Sequence, residues 1–268
     1  MALNILVCIK QVPDPEHFSR VSLDPVTKTI SREGIPAIIN PLDKNALEEG
    51  LRIRDKFSGK VAVITMGPPQ ARKALEEALA MGTDEAFLLC DRAFAAADTL
   101  GTACALAPAI QKVGPFDLIL CGNETVDSGT GHVGPQIAQF LNIAYVTNVK
   151  EIAFEEEKTL MVKRALEQGY MRVRVGLPAL LAVNKEINKP RLVTAFGIIG
   201  AAEKQITVLD CTGLGVNPND VGITGSPTRV VETFQRVSRR RGEVITGSPE
   251  EAVKKAAERL KELGALVP

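Results

Sequence analysis

The sequence predicts an α/β fold: a doubly wound, mostly parallel sheet with helices on both faces, a small antiparallel extension and a C-terminal helical arm. Three observations predict it. Short runs that are apolar nearly throughout, at residues 4–9, 60–66, 86–89 and 116–120, alternate with segments whose apolar residues recur at helical spacing. That alternation marks a parallel sheet covered on both faces. Beyond Ala144 it stops, and four β-type runs follow one another. The chain ends on a capped helix with one apolar stripe.

In chain order, residues 4–9 are a strand that Lys10, Gln11, Val12, Pro13, Asp14 and Pro15 lead away from the sheet. A turn-rich hairpin region follows around Asp24-Pro25 and Gly34. Ala37, Ile38 and Ile39 then reach Asn40-Pro41-Leu42-Asp43, where Asn40 or Asp43 can cap a helix carrying Ala46, Leu47, Leu51 and Phe57 on one face. The strand at 60–66 is stopped by Gly67-Pro68-Pro69. Ala71, Ala74, Leu75, Ala78 and Leu79 form the next helix, closed by Gly82. A strand at 86–89, a helix from an Asp98 cap through Ala103, Leu106 and Ile110, and a strand at 116–120 continue the pattern.

The β runs at 146–152, 159–166, 171–175 and 179–183 have no helices between them, so they are assigned to the antiparallel extension. Residues 210–228 are rich in Gly, Pro, Asn and Asp and should be irregular. A basic linker at 236–242 precedes Ser248-Pro249-Glu250-Glu251, an N-cap, a first-turn proline and a capping glutamate. Val253, Ala256, Ala257, Leu260 and Leu263 make the stripe of that last helix. The expected division is 1–235 for the α/β domain and 236–268 for the linker and arm.

Composition narrows the function. Thirty-two basic residues balance thirty-two acidic ones, and aromatics are 4% with no Trp, so nucleic acid is not an expected partner. No stretch reaches the length of a membrane span and the start lacks a secretory pattern, which predicts a cytoplasmic protein. Five cysteines contain no C-x-x-C pair, and neither disulfides nor a metal site are expected. Two histidines without a nucleophile-and-base arrangement argue against triad hydrolysis. Neither G-x-x-x-x-G-K-[ST] nor an early G-x-G-x-x-G is present.

What stands out is the segment 121–135, which holds four glycines between a predicted strand and a predicted helix. Such a loop can be a plain turn or a phosphate cradle, because glycine tolerates positive φ and helix N-termini offer free N–H groups. In a doubly wound sheet, ligands bind at the carboxyl ends of the strands where strand order reverses. The loops at 8–12, 66–69 and 121–134 all leave such ends and can converge on one ligand, with 40–43 as a fourth wall. The segment 184–190 is a polar loop around a single isoleucine, Ile187, which can tuck back onto its own domain or insert into a partner.

Five stretches together resemble one family: Ile5-Leu6-Val7-Cys8-Ile9-Lys10-Gln11-Val12-Pro13, Asn40-Pro41-Leu42-Asp43, Ala78-Leu79-Ala80-Met81-Gly82-Thr83-Asp84, the long glycine loop, and Leu177-Pro178-Ala179-Leu180-Leu181-Ala182-Val183. In this order and over essentially the whole chain they resemble the β subunit of an electron transfer flavoprotein. One local departure is Tyr170-Met171-Arg172, which follows Glu167-Gln168-Gly169 where the family's signature has Glu or Gln after an acidic and glycine cluster.

The resemblance implies a nucleotide pocket lined by Cys8, Asn40, Pro41, Leu42, Asp43, Met66, Asn123, Glu124, Thr125, Val126, Asp127, Ser128, Gly129, Thr130, Gly131, His132, Val133 and Gly134. It implies FAD there, or AMP as in simple carriers, and an α subunit that holds most of a second FAD. The small, glycine-rich form of 126–134 is similar to the form in electron-bifurcating members. Those take electrons from NADH and pass them to ferredoxin or flavodoxin and, through the α subunit, to an acyl-CoA or related dehydrogenase. The family's partner-recognition loop falls on 184–191, which assigns Ile187, Asn188, Pro190 and Arg191 to partner binding. From the residues alone, an ATP-binding nucleotidyl transferase or sensor on a similar sheet remains a second class.

Overall fold

In the computed structural model, residues 2–20, 22–23, 30–31, 34–156, 158–231 and 242–265 are described. Met1–Glu232 forms one compact unit and Thr233–Pro268 a second. The first opens with β1 (Leu3–Cys8) and β2 (Gln11–Pro13), then a two-residue ribbon of β3 (Ser22–Leu23) and β4 (Ile30–Ser31). This is the hairpin expected there, and its Asp24-Pro25 turn lies outside the described residues. Next come β5 (Ala37–Ile39), α1 (Pro41–Phe57), β6 (Gly59–Met66), α2 (Arg72–Met81), β7 (Glu85–Leu89), α3 (Thr99–Val113), β8 (Leu118–Gly122) and α4 (Val133–Leu141). Then follow β9 (Ala144–Glu156), β10 (Thr159–Ala165), β11 (Tyr170–Gly176), β12 (Ala179–Val183), α5 (Ala195–Ala202), β13 (Ile206–Leu209) and the single-turn α6 (Cys211–Leu214). The second unit carries α7 (Pro249–Glu262).

Nine strands form one sheet in the order β11-β10-β9-β12-β8-β1-β6-β7-β13. From β9 to β13 all neighbours are parallel, while β10 runs antiparallel to both β9 and β11. Successive residues of each parallel strand feed opposite faces. Ile5, Val7, Val61, Val63, Leu118 and Leu120 pack with Leu47, Leu51 and Leu75 of α1 and α2. Leu6, Ile64, Ile119 and Cys121 pack with Leu106, Ile110 and Ile137 of α3 and α4. Helices on both faces follow from strands that are apolar in every position.

The same reasoning corrects one assignment. The run 179–183 does not belong to the antiparallel extension: β12 lies between β8 and β9 and is parallel to both. All five of its residues are buried, whereas β11 exposes most of its residues. A strand buried on both faces reads as a continuous apolar run, and Ala-Leu-Leu-Ala-Val is one.

Chain ends of the helices follow local chemistry. Gly82 closes α2 in the left-handed conformation, Asp98 caps α3 by accepting a bond from Gly101 N–H, and Ser248 with Glu251 forms the expected capping box of α7. On α7, Val253, Leu260 and Leu263 are exposed. The basic linker expected at 236–242 lies outside the described residues apart from Gly242. Among the described residues, no helix is long and apolar enough to cross a membrane. Truncating a fully buried strand residue should separate the core from the sheet edge: Leu181→Ala is expected to cost about 2–5 kcal/mol in urea unfolding, and Val208→Ala, on the exposed edge strand β13, less than about 0.5 kcal/mol.

Candidate functional site

The chain runs from β1 through β6 to β7 on one side, then returns to lay β8 on the other side of β1. Strand order therefore reverses between β1 and β8, whose carboxyl ends meet at the Cys8 and Cys121 pair. A crevice at this point is where such sheets take ligands.

One carboxylate ties its walls together. Asp43, in the first turn of α1, accepts a bond from the Lys10 backbone N–H at 2.8 Å with one oxygen and from the Gly122 N–H at 2.9 Å with the other. The exits of β1 and β8 are thus fastened to the same helix. A Cβ at Gly122 would stand 2.5 Å from the Asp43 carboxylate and 2.7 Å from Leu42 Cβ, so glycine is what lets β8 come this close. Asn40 Nδ2 donates to Glu124 O at 2.9 Å, and Asn40 Oδ1 accepts from Val126 N–H at 3.1 Å. Asn40 N–H also donates to Lys10 O. Neither Asn40 nor Asp43 caps α1 through its side chain, contrary to the expectation. Both are turned to the loops, where they bond backbone groups of Lys10, Gly122, Glu124 and Val126.

The glycine loop is ordered around Asp127. Lys10 Nζ lies 2.8 Å from each carboxylate oxygen, Thr125 Oγ1 donates to Oδ1 at 2.7 Å, and Gly129 N–H closes the turn on Thr125 O at 2.7 Å. Gly129 and Gly131 have φ of +59° and +64°, a region side chains disfavour. Helix α4 begins at Val133, within the loop and earlier than the expected 136, with Pro135 in its first turn. Gln136 donates to His132 O, which leaves the N–H groups of Val133 and Gly134 ahead of the helical ladder and available to an anion. Ser128, Thr130 and His132 are exposed at the loop's outer edge.

The remaining predicted residues divide. Asn123 joins strand ends: its N–H donates to Val183 O, and its Oδ1 accepts from the N–H of Asn148, a positive-φ residue beside a β9 irregularity. Pro41 starts α1 and Leu42 packs by Gly122. Met66 ends β6, one strand away from β1, and joins the same core as Cys8. Lys10, though it lies in the first motif, and Asn148 were not among the site residues assigned from the sequence. The signal for Lys10 was its place just beyond an all-apolar strand; nothing local marked Asn148.

Electrostatics exclude thiol chemistry. Burial and the nearby Asp43 carboxylate push the Cys8 thiol up to about 12, and burial lifts Cys121 well above the usual thiol range, so both stay protonated and unreactive. Burial also raises Asp43, to about 7, against the bonds from Lys10, Asn40 and Gly122 that favour its charge. For Asp127 burial works upward too, but the bonds from Lys10 and Thr125 outweigh it and hold the carboxyl below its usual range. Among the described residues, no group of three or more His, Cys, Asp or Glu could hold a metal ion.

The segment 184–191 lies along the same helix. Asn45 Nδ2 donates to Asn188 O at 2.9 Å and to its side chain at 3.0 Å, while Asn188 Nδ2 returns bonds to Asn45 O and Glu49. Arg191 pairs with buried Glu48 at 2.8 Å and with Asp55 at 3.0 Å. Ile187 is half-buried against the α1 side of the core, and Pro190 is half-buried.

Comparison with known proteins places this architecture. Residues 27–213 match the electron transfer flavoprotein domain. The chain is 52% identical to the electron transfer flavoprotein subunit beta of Thermoanaerobacterium thermosaccharolyticum, over 96% of this chain and 98% of that one. The chain belongs to the electron transfer flavoprotein β subunits. This β subunit is also 47% identical to the caffeyl-CoA reductase-Etf complex subunit CarD of Acetobacterium woodii, over 92% and 93% of the two chains. With protein FixA of Azotobacter vinelandii it shares 41% identity over 91% and 88%.

Asp43 carries a pH signature. Its carboxyl stands near 3.8 when unfolded and near 7 when folded, so folding takes up a proton between those values. The Asp43 contribution to stability is therefore full below about pH 4, falls by up to about 1.4 kcal/mol per unit to about pH 7, and is level above. The difference in urea-unfolding free energy between wild type and Asp43→Asn, measured from pH 4.5 to 8, should decline over that window; a flat or rising difference would contradict it.

Proposed function

We propose that this β subunit binds FAD in the crevice between β1 and β8. On this reading, its complex with an α subunit takes electrons from NADH and divides them between ferredoxin or flavodoxin and the α-subunit flavin, which serves an acyl-CoA or related dehydrogenase. The observation that carries the reading is the glycine loop at the strand-order reversal, with Gly129 and Gly131 in left-handed backbone and the Val133 and Gly134 N–H groups free at a helix N-terminus. These residues fit a dinucleotide: two positions without side chains admit a pyrophosphate to the backbone, and the helix end favours its charge.

When bound, the flavin supplies the one- and two-electron chemistry that no side chain here can provide. The chain's own residues do the rest. Asp43 and Asn40 hold the loops at a set spacing, Gly122 permits that spacing, and the protonated thiols of Cys8 and Cys121 present neutral surface. The relationship to a subunit of a caffeyl-CoA reductase-Etf complex supports a CoA-thioester oxidoreductase as the protein served.

For partner docking, we assign Ile187, Asn188, Pro190 and Arg191 to the dehydrogenase, and α7 to the α subunit. The bonds from Asn45, Glu48 and Asp55 hold the 184–191 loop against α1, so a partner would meet a preordered surface.

Two measurements test this reading. Nucleotides released by denaturing the purified αβ pair should be two FAD; one FAD with one AMP would make the protein a simple carrier. Ile187→Ala should lower electron delivery to the dehydrogenase by about tenfold or more while bound flavin is retained, and unchanged delivery would remove the loop from docking.

A further inference from the structure

We propose that the Lys10 ammonium reads the nucleotide's phosphate, and that Asp127 is the internal counter-ion which the phosphate displaces. This rests on the nucleotide reading of the crevice and gives a role to a residue that lies in the first motif but is not among the assigned pocket residues.

The geometry separates a fixed part of Lys10 from a free one. Its backbone is held on both sides: the N–H by Asp43 at 2.8 Å and the carbonyl by Asn40 N–H at 2.9 Å. Its side chain is 41% exposed and ends on the glycine loop, 2.8 Å from both Asp127 oxygens and 3.5 Å from Ser128 Oγ. An ammonium on a four-carbon stem can turn about an anchored Cα without disturbing the strand exits.

Asp127 is arranged to release it. Its carboxylate is only 8% exposed and also accepts from Thr125 Oγ1 at 2.7 Å and Ser128 Oγ at 3.3 Å, while those hydroxyls are 2.8 Å apart. When Lys10 turns away, the Thr125 and Ser128 hydroxyls stay within reach of the Asp127 carboxylate and offset part of the cost of separating the pair. The acceptor of the exchange is close in sequence: a phosphate at the N–H groups of Val133 and Gly134 would sit at the end of the loop that Asp127 anchors. A pyrophosphate offers the ammonium more charge and more acceptor oxygens than one carboxylate.

A second reading of the same contact is a plain clamp, in which Lys10 only ties the loop down. The two differ in sign at Asp127. Full-length protein stripped of nucleotide would be titrated calorimetrically with AMP, FAD and adenosine, as wild type, Lys10→Gln and Asp127→Asn. Lys10→Gln should weaken AMP and FAD by about tenfold or more and leave adenosine within about twofold. Asp127→Asn should tighten AMP and FAD, since it removes the competitor. Equal weakening of all three ligands by both variants would establish the clamp and overturn the proposal, as would AMP binding unchanged by Lys10→Gln. Wild-type protein that binds neither AMP nor FAD would overturn the nucleotide reading itself, and Lys10's role with it. Thermal melts of each variant distinguish a local effect from lost folding.

Discussion

The crevice depends on a single carboxylate accepting two backbone bonds. Asp43 receives the N–H groups of Lys10, two residues beyond β1, and of Gly122, the last residue of β8. In a doubly wound sheet those two exits must part to leave a cleft, yet their N–H groups lose their ladder partners as they do so. An ionised or hydrogen-bonded acceptor at that point satisfies both. Burial opposes its charge, which is the cost of placing an acid between two strand ends. Gly122 is the matching concession, because any side chain there would overlap the acid.

Helix α1 extends this constraint along its length. Its start presents Asn40, Leu42 and Asp43 to the loops of the proposed nucleotide site, and its later turns present Asn45, Glu48, Glu49 and Asp55 to the 184–191 segment. Glu48 is buried, and although burial would raise its carboxyl, Arg191 and Arg52 together hold it below the usual range. One rigid element thus sets the positions of both the proposed ligand-facing and the proposed partner-facing surfaces. A shift of α1 would move both, and this couples the two surfaces through a shared scaffold.

Much of the site was legible because its chemistry is local. Glycines between an apolar strand and a helix, and a sharp Asn-Pro-Leu-Asp turn, are readable without knowing what they touch. What was not legible were partners far apart in sequence. Asn40 and Asp43 read as caps, since Asn and Asp ahead of a helix usually are, but residues 84 and 79 positions away claimed their side chains. Asn148 could be found only through Asn123. Helix α5 and strand β13 went unread because short apolar segments with little polar alternation resemble either state.

By itself, the sequence determined the fold class and the alternation of strands and helices from β6 to α4, because periodicity and capping are written into neighbouring residues. It also determined that a glycine loop would leave a buried strand. Tertiary structure alone decided that β12 enters the parallel sheet beside β8, that Asp43 joins two strand exits, and that Lys10 reaches Asp127. The physical reason is that strand neighbours and long-range hydrogen bonds depend on which chain segments share a face after packing. That is a property of the whole sheet rather than of any window along it.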